Sequence, residues 1–158
     1  MPDRAAVVTV SDSTSRGERE DLSGPAVAAL LRQSGFETVA QEVVPDDQPA
    51  IESTLKTLCQ GADLVVTTGG TGLGPRDVTP EATRAVCDRL VEGIAELMRA
   101  EGVRHTRFAA LSRSVCGARG NSLILNLPGS PKGAVESLRS VIDLLPHALQ
   151  LLRGNTKH

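Results

Sequence analysis

Short aliphatic runs recur through this chain, each followed by a polar or glycine-bearing turn and then by a stretch with helical spacing. No other feature constrains the fold as tightly, because strands that return parallel to one another need a long crossover, usually a helix. Residues 5–10 (AAVVTV) read as a buried strand leading into a polar loop at residues 11–15. Ser23 then reads as a helix cap, with Pro25 in the first turn, Val27, Leu30 and Leu31 on one face, and Gly35 as the stop. The same unit appears with a strand at residues 38–44, a turn at Pro45, Asp46 and Asp47, and a helix over 48–60. It appears once more with a strand at 63–68, a glycine-rich loop at 69–78 and a helix from Thr79 towards Leu90. Beyond it, the pattern predicts a helix over 94–100, an irregular piece at 103–107, and strands at 108–111 and 122–127. One long helix over 132–152, bent at Pro146, follows, and the last four residues are expected to fray. The expectation is a single domain over residues 1–158, α/β in class. It has three layers, with a mainly parallel sheet of about four to five strands and helices on both faces.

Composition narrows the partners. The chain carries 2 Phe, no Trp and no Tyr, so a core must be built from aliphatic side chains and the usual platform for stacking bases is missing. A formal charge of −2 gives no long-range attraction for nucleic acid or an acidic membrane surface. No apolar run approaches the ~20 residues of a membrane span, and no signal peptide is evident. Cys59, Cys87 and Cys116 are too far apart in sequence for the paired spacing of zinc or redox motifs, which predicts free thiols and a cytoplasmic protein.

In an open α/β sheet, ligands bind outside the carboxyl ends of the strands, so the loops starting at Ser11, Pro45, Gly69, Ser112 and Pro128 are expected to share one rim. Asp12, Asp46 and Asp77 each follow a different strand and would bring three carboxylates to that edge. The run Gly69, Gly70, Thr71, Gly72, Leu73, Gly74 offers unobstructed N–H groups ahead of a helix, which makes an anion cradle. It lacks the Lys-Ser/Thr pair of a P-loop, and Pro75 stands where a dinucleotide fingerprint needs its third glycine. Arg76, Asp77 and Thr79 put a cation, a carboxylate and a hydroxyl beside the glycines. The plainer alternative is a tight turn in which Asp77 and Thr79 cap the helix and Arg76 is solvated. A second exposed turn, Pro128, Gly129, Ser130, Pro131 and Lys132, adds an amine; Ser112, Arg113, Ser114 and Arg119 add hydroxyls and guanidinium groups suited to phosphate. No serine sits in a nucleophile elbow, and His105, His147 and His158 lack evident partners; Cys116 is the one candidate for an activated thiol. Carboxylates and a cradle without a protein nucleophile suit magnesium-assisted transfer of a phosphoryl or nucleotidyl group.

These loops carry a resemblance. The segments VTVSD (8–12), VVPDD (43–47), TTGGTGLGPRDVTPEAT (67–83), LSRSVCGARG (111–120) and LNLPGSPKG (125–133) resemble those of the MogA-type molybdopterin adenylyltransferases and the related gephyrin and Cnx G domains. The likeness runs over about residues 7–152 and implies the molybdenum-cofactor biosynthesis protein fold, a homotrimer, and Mg2+ with ATP as co-substrate. The implied reaction moves AMP from ATP to the terminal phosphate of molybdopterin, giving adenylylated molybdopterin and pyrophosphate, with hand-over to a molybdenum-insertion protein. By the same resemblance Asp46 and Asp77 are the catalytic and metal-holding acids. Gly69, Gly70, Thr71, Gly72, Arg76 and Thr79 then fall at the nucleotide and phosphate site, and Ser11, Asp12, Ser112, Arg113, Gly129, Ser130 and Lys132 at the molybdopterin site. The alternative within the family is a MoaB-like molybdopterin-binding module without the chemistry; the intact RDVTPEAT favours the MogA side.

Overall fold

Alternation along the strands decides which face each helix covers. The computed structural model describes residues 1–156. Strand β1 (Arg4–Val10) sends Ala5 and Val7 to one face and Ala6, Val8 and Val10 to the other, as the two-residue period of a strand requires. Strands β3 (Leu64–Thr68) and β6 (Ser122–Leu127) do the same, with Leu64, Val66, Leu123, Leu125 and Leu127 on the first face and Val65 and Ile124 on the second. Such strands are apolar on both sides and fold only between two helical layers.

The six-stranded sheet has the order β2-β1-β3-β6-β5-β4, where β2 is Glu37–Val44, β4 is Arg89–Leu90 and β5 is Cys116–Arg119. Strands β2, β1, β3 and β6 are parallel; β5 runs antiparallel to β6, and β4 antiparallel to β5. The first face is covered by α2 (Ser23–Gln33), α5 (Glu92–Gly102), α6 (Pro131–Val141) and α7 (Leu145–Leu152), through Leu31, Met98, Leu138 and Leu149 among others. The second is covered by α3 (Gln48–Leu58) and α4 (Thr79–Val86), through Ile51, Leu55, Ala82 and Val86. The expected three-layer, mainly parallel architecture is the one observed.

Several local expectations differ from the structure. The polar stretch after β1 holds a one-turn helix, α1 (Asp12–Ser15), capped by Ser11, whose Oγ accepts from the Thr14 N–H at 3.2 Å. Ser23 does not cap α2. Asp21 accepts the Gly24 N–H at 3.0 Å, and the Ser23 hydroxyl is buried against Thr68 at 3.0 Å. The helix from Thr79 stops at Val86, because Cys87 turns to extended backbone and residues 89–90 pair with Ala118 and Gly117. Residues 107–111, expected as a strand, form a 3₁₀ turn (Arg107–Leu111). The long helix over 132–152 is two helices joined by a 3₁₀ turn (Ile142–Leu144), with Pro146 in the first turn of α7, where its missing N–H costs nothing. Strand β5 was unforeseen; it is the first arm of a hairpin whose two-residue turn has Gly120 at φ +57. Of the tail expected to fray, residues 155–156 lie outside regular structure; Lys157 and His158 lie outside the described residues.

Candidate active site

The carboxyl ends of the four parallel strands put the expected loops on one rim. Hydrogen bonds stitch them together: Ser11 N–H to Val44 O at 2.9 Å, Gly69 N–H to Leu127 O at 3.1 Å and Arg113 N–H to Thr71 O at 2.8 Å. Ser112 and Arg113 reach this rim although no strand precedes them, because β5 is antiparallel and therefore starts where its neighbours end.

The glycines are demanded by contact. Gly69 has φ +92 and Gly70 φ +69, the left-handed region that side chains disfavour. A Cβ on Gly69 would strike the Val10 carbonyl, and one on Gly70 would strike the Thr79 hydroxyl and lie 3.1 Å from Asp46 Oδ1. Gly129 packs on Gly69 so closely that its Cβ would lie 3.3 Å from the Gly69 Cα. Among the described residues, no acceptor meets the N–H groups of Gly70, Thr71 and Gly72. Three open donors beside a helix start are what a phosphate needs.

Asp12 and Asp46 exchange hydrogen bonds: the Asp12 N–H donates to Asp46 Oδ2 and the Asp46 N–H to Asp12 Oδ1, both at 3.0 Å. Arg76 grips Asp12 through Nε at 2.6 Å and Nη2 at 3.1 Å, and its Nη2 also reaches the Asp46 carbonyl at 2.9 Å. That clamp holds the Asp12 carboxyl below the ordinary value of 3.8. Asp46 is shifted the other way, upward, mainly by burial and then by the negative charges of Asp12 and Asp77, which the Asp12 N–H bond and Arg76 only partly offset. Asp77 accepts the Gly74 N–H through Oδ2 at 2.8 Å.

Arg113 faces inward to the loop: Nε donates to the Gly72 carbonyl at 2.8 Å, Nη2 to the Asp77 carbonyl at 2.8 Å, and Nη1 to Glu81 at 2.6 Å. Thr79 is fully buried, and its hydroxyl donates to the Gly69 carbonyl at 3.0 Å while Val78 occupies the cap position. Thr79, Arg76 and Arg113 thus shape the loops through these bonds. Glu81, which sequence reasoning did not single out, is the carboxylate that holds Arg113 in place.

A cleft of about 830 Å³ opens beside this assembly, lined by Gly70, Thr71, Gly72, Asp77, Ser112, Gly129 and Ser130 of the expected residues. Its far wall is one face of α6, Gly133, Glu136, Ser137 and Ser140. That wall went unread, although its three-and-four spacing of small and polar residues was present in the sequence. A smaller chamber of about 260 Å³ lies beyond the Gly69–Gly129 contact; Ser11 lines it, and Ser130 and Gly129 line both. Lys132 lines neither, its side chain being 87% exposed beside Glu136. Cys116 is buried and its thiol pushed up to about 12, mainly by burial, which removes it as an activated nucleophile.

The match to the family of the probable molybdopterin binding domain covers residues 6–147. The chain belongs to that family. Among relatives of this molybdopterin-binding family, the molybdopterin adenylyltransferase of Helicobacter pylori strain J99 is 42% identical over 153 residues, spanning 94% of this chain and 87% of its own. That of Haemophilus influenzae is 43% identical, spanning 96% and 85%. Among solved structures, the molybdopterin biosynthesis enzyme MoaB of Thermus thermophilus superposes with a TM-score of 0.91 at 55% identity, covering 96% of this chain and 97% of that one.

The raised Asp46 yields a test of the site's electrostatics. Because its folded pKa lies above the unfolded one, the stability it contributes is complete at low pH and lost as pH rises through the folded value. Asp46→Asn keeps an acceptor for the Asp12 N–H and removes the charge. Melting temperatures measured without metal or nucleotide should therefore put this variant at or above the wild type near pH 7, with the gap closing towards about pH 4. A variant that melts well below the wild type at neutral pH would refute this account.

Proposed function

We propose that this protein is a molybdopterin adenylyltransferase, which joins the AMP of ATP to the terminal phosphate of molybdopterin and releases pyrophosphate. The observation that carries the reading is the meeting of Asp46 and Asp77 at a glycine loop with three open N–H donors, in a chain 40–43% identical to proteins of that name. The substrate phosphate is itself the nucleophile, so the protein need supply only charge neutralisation and alignment.

Magnesium fits the donor set. Asp46 and Asp77 each use one carboxylate oxygen, Oδ2, on a backbone N–H, and Oδ1 of each takes no hydrogen bond from the described residues. Among the described residues, no group of three or more His, Cys, Asp or Glu is placed to hold a metal alone. That suits an ion held by one or two carboxylates and completed by phosphate oxygens and water. When bound, it would supply neutralising charge between the phosphates. The chain's own part is then as follows. The N–H groups of Gly70, Thr71 and Gly72 hold phosphate oxygens, Arg113 and Thr79 fix those donors in place, and Ser130, whose Oγ accepts the Gly133 N–H, offers its O–H in the cleft, while Ser112 donates its own to Ser114. Arg76 orients Asp12 and, through it, Asp46.

The finer features belong to the same reading: a homotrimer, delivery of the adenylylated product to a molybdenum-insertion protein, and a cytoplasmic location. Three free thiols support the last, and no helix among the described residues is long and apolar enough to cross a membrane. The binding-only alternative is not favoured, since several bacterial relatives at 40–43% identity carry the transferase name. Purified protein incubated with molybdopterin, ATP and magnesium should yield adenylylated molybdopterin by mass spectrometry together with pyrophosphate, and neither without metal. Molybdopterin binding with no product would overturn the reading in favour of a binding module.

A further inference from the structure

We propose that Phe108 is the stacking platform for the planar fused-ring heterocycle of a substrate in the main cleft. The inference rests on the adenylyl-transfer reading for the class of ligand. Of the two phenylalanines, Phe36 is buried and Phe108 is 78% exposed, in a chain with neither Trp nor Tyr. Phe108 is thus the one exposed side chain of the Phe, Tyr or Trp kind, and it lines the 830 Å³ cleft. An exposed ring that lines a cleft is apolar surface available to the flat face of a bound ligand.

The surrounding backbone is held as a platform would need. Thr106 caps the 3₁₀ turn twice, its Oγ1 accepting the Phe108 N–H at 3.3 Å and its carbonyl the Ala109 N–H at 3.2 Å. Arg99 ties down the segment that follows by donating to the Ser114 carbonyl at 2.9 Å and the Ser112 carbonyl at 3.5 Å. Gly102 of α5 lets the turn lie close, since a Cβ there would sit 2.8 Å from the Ala109 Cβ. The cleft carries polar groups for the edges of a ring as well: Glu136, Ser137, Arg139 and Ser140 of α6 share its lining with Phe108. The phosphate-holding end, Gly70, Thr71, Gly72 and Asp77, belongs to the same cleft. An apolar face, polar edges and a phosphate cradle are together the requirements of a ring-bearing phosphate ester. Adenine and pterin share this chemistry, and the experiment separates them.

Because the chain has no tryptophan, Phe108→Trp installs a single fluorophore that also stacks. Its emission should be quenched on titration with α,β-methylene-ATP and magnesium if the ring is adenine, or with molybdopterin if it is the pterin. Calorimetry on Phe108→Ala should show the Kd for that same ligand raised about five-fold or more, with the other within two-fold and Phe108→Leu between. The exposure of the side chain leaves the fold of these variants intact, which circular dichroism checks. Unquenched emission with both ligands, or both Kd values within two-fold in Phe108→Ala, overturns the proposal. So does a change in sedimenting mass with both affinities kept, which would place Phe108 against a second copy of the chain. These readouts need no turnover, so an inactive wild type would end the adenylyltransferase reading without deciding this one.

Discussion

Asp77→Asn should fold normally and make adenylylated molybdopterin about 100-fold more slowly or worse, the scale seen when a preorganised electrostatic group is removed from a reacting centre. The substitution is isosteric, and its amide oxygen can still accept the Gly74 N–H that Asp77 Oδ2 holds at 2.8 Å. The backbone carbonyl that anchors Arg113 is untouched. What disappears is one negative charge at the cleft wall, beside the three open N–H donors. On the proposed mechanism that charge would help hold a cation, while the cradle stays in place, so rate should fall more than affinity for ATP. The measurement is kcat and KM for pyrophosphate release, alongside melting temperature. Wild-type turnover by a folded Asp77→Asn would take Asp77 out of the mechanism.

The doubly buried strands were legible because runs such as residues 64–68 and 122–127 are short, rich in Leu, Val and Ile, and followed at once by glycine or proline, which favours strand over helix. The edge of the sheet was not. Strand β5 is four residues, CGAR, with little strand preference of its own; it exists by pairing with β6. A signal was available in the adjacent Gly120 and Asn121, which join the two arms as a two-residue hairpin turn. The segment Phe108-Ala109-Ala110-Leu111 misled for the opposite reason. A short apolar run reads alike as strand or helix, and this one is exposed at the cleft lip, where burial could not have shaped its pattern.

The site was legible as a list of residues and less so as a set of contacts. That Asp12, Asp46 and Asp77 converge follows from each trailing a strand of a parallel sheet. Which of them remains available for chemistry depends on partners supplied by distant loops. Arg76 takes Asp12, Glu81 takes Arg113, and the Gly69 carbonyl takes Thr79. No spacing rule encodes the first two choices, because each joins segments that meet only once the sheet has formed.

Asn126→Ala should cost about 3 kcal/mol or more, lowering the melting temperature by roughly 6–12 °C in a chain of this length. Asn126 is fully buried in β6, and its amide is used on both sides: Oδ1 accepts the Val115 N–H at 3.1 Å, while Nδ2 donates to the hydroxyls of Thr67 at 3.0 Å and Thr83 at 2.9 Å. One side chain therefore joins β6, β3, α4 and the segment leading from Arg113 into β5. Truncation strands a buried N–H that no water can reach and opens a cavity, two costs that add. The two threonine hydroxyls can turn to each other or to other acceptors, so the unmet Val115 N–H is the largest single loss. Thr83→Val keeps the side-chain volume and the Val115 bond but leaves one Nδ2 hydrogen of Asn126 unmet, so it should cost less by the cavity and the two remaining bonds. Chemical denaturation of both variants checks the ranking; an Asn126→Ala chain as stable as Thr83→Val would show that the Val115 bond and the cavity add nothing beyond the Thr83 contact. Because Asn126 anchors Val115, two residues beyond the Arg113 that bonds Gly72, the proposed nucleotide site predicts weaker ATP binding by the surviving folded fraction of Asn126→Ala.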